Sequence, residues 1–316
     1  MVNYKTAELA MQCLASINKQ NDALNGGKVV VVDNNSQDGS AEKLANYVQK
    51  NDFNSWVDIL LMPSNGGFAY GCNVGITHAF TLNNAADYVM LLNPDTMVRP
   101  NAIASLSNFM DANHHVGITG SQLENSEGGI ENSAHRFHSV ISEFIEGARL
   151  GLLSRLFSRY ETTPALKTGN FQCDWVSGAS MMIRRQLIKD IGLLDEGFFL
   201  YFEEVDYFYR AAKAGWQTWY VPAAKVMHIE GAATGIKSAK RRPKYWYDSR
   251  RRYFIKHHGV LGLVCADALW GIGRFSYQLR RLLGLGAQGQ STDPKFLACD
   301  LLVGDAKAIL MGKTVI

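Results

Sequence analysis

The sequence predicts an α/β fold with a mainly parallel sheet covered by helices on both faces. Two observations carry that reading. Short apolar runs without polar alternation, "KVVVVD", "WVDILLM" and "YVMLLN", recur along the first half, as strands buried on both faces do. Stretches of helical period separate them, which is the connection parallel strands need. In such sheets ligands bind beyond the carboxyl ends of the strands. Both "VVVVDNNS" and "VMLLNPD" bring acids and amides to such ends.

In chain order, "AELAMQCLASI" has helical periodicity, "KVVVVD" is a β-branched strand, and "SAEKLANYVQK" is a helix capped by Ser40. "WVDILLM" and "YVMLLN" are strands, and "NAIASLSNFM" is a helix placed after Pro100. Residues 124–167 lack a strong period and read as loops and short helices. "DWVSGASMMIRRQLIKDIG" is a strand followed by a helix, "FFLYFEEVDYFYRAAKAGW" is aromatic and then helical, and "QTWYVPAAKVMH" is strand-like. Helices are expected from the basic segment at Lys237 to the end. The boundary is set at 235/236, between an α/β domain and a basic helical tail.

With 316 residues, 47% hydrophobic and 19% charged, the chain has the composition of a globular enzyme and can bury a large core. Its five cysteines are scattered, with no C-x-x-C spacing. That argues for reduced thiols in a cytosolic setting over a disulfide framework or a zinc site. The opening residues do not read as a signal peptide. The apolar stretch "GVLGLVCADALWGIG" carries Asp267 and is expected to be too short to span a bilayer. The net charge of +3 is uneven, with 15 Lys/Arg against 5 Asp/Glu from Gly231 onward. A basic tail behind an acidic body suits an anionic partner, lipid or nucleic acid.

Four stretches carry chemistry. Asp33 ends a buried strand, where it either accepts hydrogen bonds from a nucleobase edge or makes an Asx-turn. "NGGFAYGCNVG" lacks the G-x-G-x-x-G spacing, so a dinucleotide fingerprint is not supported. Its glycines let a backbone pass close to a ligand, and Asn65 and Asn73 offer amides. Asp95, after Asn93-Pro94, suits Mg²⁺ or Mn²⁺ if a diphosphate completes the oxygen shell; an N-P-D turn alone would also explain it. In "YFEEVDYFYR", Glu203, Glu204 and Asp206 sit among aromatics, with Arg210 four residues after Asp206 for an ion pair. A carboxylate there can take a proton from a hydroxyl nucleophile. His228 ends a strand-like run and is either a structural histidine or a ligand.

In this order the elements resemble the inverting, nucleotide-sugar-dependent glycosyltransferases of the GT-A fold, in the large family 2 group. Bacterial rhamnosyltransferase-like members that build surface polysaccharides look most similar. The resemblance runs from Val2 to about Thr234 and again over Lys244 to Gly259. It implies a GT-A-like, Rossmann-type sheet and a donor such as dTDP-rhamnose. Asn3, Tyr4, Asp33, Asn65, Gly66, Gly67, Asn73 and Asn93 are then the donor-binding residues. "NPD" sits where the family has its D-x-D metal motif, so Asp95, with His228, holds Mg²⁺ or Mn²⁺. "WVSGA" places Trp175, Gly178 and Ala179, with Asp206, in the pocket for donor sugar and acceptor. "FEEVD" matches the E-D-x-D region and makes Glu204 the catalytic base, with Glu203 beside it. The family usually has Asp where Glu204 stands, so this base reaches about one methylene further. Only Met1 and Val2 precede Asn3-Tyr4 where the family has a longer apolar strand, and upstream in-frame codons are expected to encode the remainder.

The expected acceptor is a carbohydrate or lipid-linked glycan hydroxyl, and the expected location the cytoplasm, peripheral on the inner face of the membrane. Tyr245, Trp246, Tyr247, Tyr253 and Phe254 interleave with Arg and Lys in the tail, which suits an anionic lipid surface; a basic helix packing its aromatics inward is the plainer alternative. No recognition motif accompanies the charge, so nucleic acid is not an expected partner. A non-catalytic sugar-nucleotide or glycan-binding protein and a sugar-phosphate nucleotidyltransferase are the competing functions. The latter lacks its Gly-rich, basic phosphate loop near the N-terminus.

Overall fold

A computed structural model describes residues 1–20, 24, 26–82, 86–229, 239–285 and 293–312. The chain forms two compact units. The first comprises Met1–His135, Ala165–Phe199 and Glu203–Gly235; the second comprises Arg136–Pro164, Leu200–Phe202 and Ile236–Ile316. The expected 235/236 boundary lies outside the described residues. The second unit draws on 136–164 and 200–202 as well as the tail.

The first unit opens with β1 (Val2–Asn3), α1 (Ala7–Asn18), β2 (Val29–Asp33), α2 (Ser40–Lys50), β3 (Val57–Leu61) and α3 (Phe68–Thr81). β1, β2 and β3 form a parallel sheet in that order. Helices cover both faces of β2, as strand alternation dictates. Val31 packs in a core with Ala7, Leu14, Leu44 and Val48 of α1 and α2, whereas Val30 and Val32 face Gly75 of α3. Two local expectations change. Gly39, in the left-handed region, is the N-cap of α2, and Ser40 is its first helical residue. Gly71 and Gly75 lie inside α3, not in a loop. A Cβ at Gly71 would come within 2.8 Å of Val2 Cγ1, so the glycine serves helix-to-strand packing.

Next come β4 (Tyr88–Leu92), β5 (Thr96–Val98), α4 (Ala102–Ala112), β6 (Val116–Glu124), β7 (Ile130–Glu131) and β8 (Ala134–His135). After the second unit's insertion follow β9 (Phe171–Cys173), β10 (Trp175–Val176), β11 (Ser180–Arg184), α7 (Arg185–Ile191), α8 (Glu203–Lys213) and β12 (Gln217–His228). A second sheet runs β4-β11-β6-β12-β5, with β7 on β6 and β9 on β12. Only β6 and β12 pair in parallel there; β4, β5, β7, β9 and the β11–β6 pair are antiparallel. The α/β class therefore stands, but the expected mainly parallel sheet is parallel in its first three strands and mixed beyond. Of these antiparallel pairs only β6–β7 is joined by a short connection; β4 and β5 meet partners, β11 and β12, from far along the chain.

The second unit contains α5 (Val140–Ala148), α6 (Gly151–Leu156), α9 (Lys244–Leu282) and α10 (Gly304–Leu310). α5 crosses α9 closely because Gly147 and Gly273 meet: a Cβ on Gly273 would lie 2.6 Å from Ala148 N. Arg250, 1% exposed, joins the helices through Glu143 (2.8 Å), Asp267 (2.9 Å) and Asp305 (3.2 Å). Burial pushes the Glu143 carboxyl up, but Arg250 and His138 together outweigh it and hold the group down at about 2. Removing Arg250 would leave several carboxylates buried without their counter-ion, the costly way to break such a cluster.

Tyr247, Tyr253 and Phe254 are buried, which corrects the expectation that they meet lipid. Their helical spacing places them, with Arg250, on the inward stripe of α9. Gly259 (φ 71°, ψ 173°) interrupts α9. By length and composition α9 is apolar enough to cross a membrane, which the sequence did not suggest, although 28% of its most apolar window is buried in the protein.

Candidate functional site

Asp95 reaches its position through strand pairing. β5 pairs antiparallel with the end of β12, setting His228 opposite Thr96. Pro222 in β12 cannot donate to the ladder, and the β12–β6 register shifts between Val221 and Lys225. Beyond that shift His228 Nε2 lies 3.4 Å from Asp95 Oδ1. Ile229 N donates to Asp95 O (2.9 Å), locking the turn to the strand end. Asp95 and His228 are both buried. The side-chain oxygen of Asn93 is buried nearby in sequence without a hydrogen-bond partner among the described residues. No group of three or more His, Cys, Asp or Glu that could hold a metal occurs among the described residues. Asp95 and His228 offer one oxygen and one nitrogen, which fits a cation whose remaining ligands come from a bound diphosphate.

The NPD turn connects directly to the acid pair. Asn93 N donates to Ala179 O (2.9 Å). A Cβ on the adjoining Gly178 would lie 3.7 Å from Glu204 Oε1, an ordinary contact, so the glycine borders that carboxylate. Glu203 and Glu204 begin α8, about 100° apart around the helix. Glu204 is half-buried, while Glu203 is buried with Oε2 unpartnered among the described residues. Before them, Tyr201 (φ 69°) and Phe202 (φ 65°) both adopt left-handed backbone, a strained arrangement for bulky residues that clusters at functional sites.

Burial, then the charge of Glu204, holds the Glu203 carboxyl well above the usual range. Glu203 thus binds its proton more tightly in the folded chain than in the unfolded one. The stability this group contributes is complete below the unfolded value near 4.5 and is lost as pH rises above it. Glu203→Gln is therefore expected to raise the urea midpoint at pH 7.5 relative to wild type and to leave it unchanged near pH 4. A lower midpoint at pH 7.5 would refute the raised Glu203 carboxyl.

On the donor side, Asn34 Nδ2 donates to Asn65 Oδ1 (3.0 Å) and Gly67 O (2.9 Å). Gly67 requires its glycine: φ is 92°, and a Cβ would strike Phe199 O, which accepts from Phe68 N at 2.8 Å. A Cβ on Gly66 would meet the Tyr70 ring at 2.5 Å. Tyr4 is 41% exposed. Asp33 makes the Asx-turn, accepting from Ser36 N (3.0 Å) and Ser36 Oγ (2.7 Å). Asn34, absent from the expected set, has a buried Oδ1 without a partner among the described residues; its place in "DNNS" beside Asp33 was the available signal.

Four expected contact residues make contacts within the scaffold. Asn3 is fully buried, donating to Asp33 Oδ2 (2.7 Å) and accepting from Thr6, so it orients Asp33. Asn73 exchanges hydrogen bonds with Leu194 and Glu196 and holds that loop. Ala179 packs in the main core. Asp206 is buried and ion-paired with Arg210 (3.0 Å), whose other nitrogens donate to Ile191 O and Leu193 O. Trp175 stacks on His135 (4.2 Å between centroids).

Residues 1–192 match glycosyl transferase family 2. The chain belongs to that family. An N-acetylglucosaminyl-diphospho-decaprenol L-rhamnosyltransferase of Mycobacterium tuberculosis is 28% identical over 220 residues, 66% of this chain and 68% of the relative. A dTDP-rhamnosyl transferase of Shigella flexneri is 24% identical over 212 residues, 67% of this chain and 62% of the relative. Among solved structures, a mannosyltransferase from Pyrobaculum calidifontis in complex with GDP-Man and Mn²⁺ superimposes with a TM-score of 0.53 at 14% identity, covering 98% of this chain and 79% of that one. The family 2 glycosyltransferase thus carries the fold expected from its motifs.

Proposed function

We propose that this family 2 glycosyltransferase moves L-rhamnose from dTDP-rhamnose to a hydroxyl of a lipid-linked saccharide, with inversion, in bacterial surface polysaccharide synthesis. The observation that carries the reading is Glu204 bordering Gly178, one backbone hydrogen bond from the turn that bears Asp95 opposite His228. The relatives' names supply the sugar and the lipid-linked acceptor.

Glu204 takes the proton of the acceptor hydroxyl, whose oxygen attacks the anomeric carbon as the bond to the diphosphate oxygen breaks. dTDP leaves on the opposite face, so the configuration inverts. Asp95 and His228 would hold Mg²⁺ or Mn²⁺, which when bound supplies Lewis-acid stabilisation of the diphosphate charge. Tyr4, Asp33, Asn65, Gly66 and Gly67 shape the nucleotide pocket, Asn3 and Asn73 acting through the residues they anchor. Trp175 and Gly178 border the sugar and acceptor. The enzyme works at the cytoplasmic face of the membrane, where a lipid-linked acceptor is presented.

A panel of nucleotide sugars, assayed for nucleoside diphosphate release with and without divalent cation, tests the reading. dTDP-rhamnose is expected to be turned over fastest, and only with the cation. Preference for another donor overturns the sugar assignment, and binding without turnover of any donor favours a sugar-nucleotide-binding protein.

A further inference from the structure

The second unit carries 19 Lys/Arg against 8 Asp/Glu, yet its aromatics near Tyr253 face inward. Its uncovered apolar surface lies further along α9. Leu261, Val264, Ala268, Ile272, Phe275, Leu279 and Leu282 recur at intervals of three and four, and all are exposed. Leu261 is 76%, Ile272 58%, Phe275 71% and Leu282 85% exposed. The opposite stripe, Leu263, Ala266, Trp270 and Gly273, is buried, and Gly273 meets α5. On α6, which follows α5, Leu152 and Leu156 are exposed four residues apart.

We infer that this row on α9, residues Leu261 to Leu282, is the surface by which the enzyme lies on an anionic lipid bilayer. The inference rests on the lipid-linked acceptor proposed above and locates the docking face. Charge placement selects lipid as the occupant. Between Gly259 and Gly273 the sole charged residue is Asp267, which pairs with buried Arg250. Arg252 and Lys256 precede the row, and Arg280 and Arg281 close it. An uncharged apolar row in a unit so rich in cations is what an in-plane interfacial helix presents to anionic headgroups. A coiled coil with a second copy would need charged residues flanking its seam, and Gly262, Cys265 and Gly271 occupy such positions. Spanning the bilayer is disfavoured because one stripe is already covered by protein and holds Arg274 and Trp270.

The test is flotation of the full-length enzyme with mixed phosphatidylglycerol–phosphatidylcholine vesicles. Wild type is expected to float, less so in high salt. Ile272→Glu/Phe275→Glu, at two exposed positions, is expected to weaken partition by about tenfold to hundredfold. Slow hydrolysis of dTDP-rhamnose by water should be unchanged in the variant, which also reports its folding. Failure of wild type to float, or equal flotation of the variant, overturns the docking face while leaving donor turnover to judge the glycosyltransferase reading separately. A wild-type dimer by light scattering that the substitutions dissociate overturns it in favour of a second copy.

Discussion

Glu204→Gln is expected to lower kcat by about 10²–10⁴, the usual share of general-base catalysis, with little change in donor affinity. The amide keeps the size of the side chain and removes the oxygen that accepts the acceptor's proton. Of the two adjacent acids, Glu204 is the half-buried one, bordered by Gly178. Glu203 is buried, with its carboxyl pushed well above the usual range by that burial and by Glu204. Its burial keeps it from the acceptor hydroxyl, so Glu203→Gln should retain most of the activity. Steady-state kinetics on both variants, with donor affinity measured separately by calorimetry, decide the matter. If Glu203→Gln is the inactive one and Glu204→Gln is nearly normal, the base has been assigned one residue too late.

Asp95→Ala is expected to remove divalent-dependent turnover, a loss of about three orders of magnitude if the cation's charge stabilisation is worth several kcal/mol. His228→Ala should weaken the dependence on cation concentration less severely. The nitrogen it removes is one of the two proposed protein ligands, and a bound diphosphate would still contribute oxygens. Asp95 is only 3% exposed, so the urea midpoint must accompany the kinetics, and Asp95→Asn provides a variant of equal size. Full activity of Asp95→Ala in chelator-treated buffer would exclude Asp95 as a metal ligand.

Much of the site was legible because its signals are local. An acid closing a β-branched run, an N-P-D turn after a strand and paired glutamates among aromatics each occupy fewer than about ten residues, the length over which strand and helix periods are read. β6 was not legible. All nine of its residues are buried, yet "VGITGSQLE" mixes glycine and polar residues and shows no apolar run. Gly120 is there because the Val176 side chain would strike its Cβ, a contact across 56 positions that no local pattern reveals. β5, three residues long, is likewise created by its pairing with β12.

The sequence by itself determined the α/β class, the order of most elements and the arrival of Asp33, Asp95, Glu204 and His228 at strand or helix ends. Only the tertiary structure decided which polar groups hold the scaffold together. Asn3 meets Asp33 across 30 positions, Asn73 meets Leu194 across 121, and Arg250 meets Glu143 across 107. Each of these polar groups loses water on folding and must find a partner in the interior. The partner available depends on which strands and helices are brought together. The tail was sorted in the same way: Tyr247, Tyr253 and Phe254 turned inward with Arg250, and one apolar stripe beyond Gly259, including Leu261, Ile272 and Phe275, was left outside.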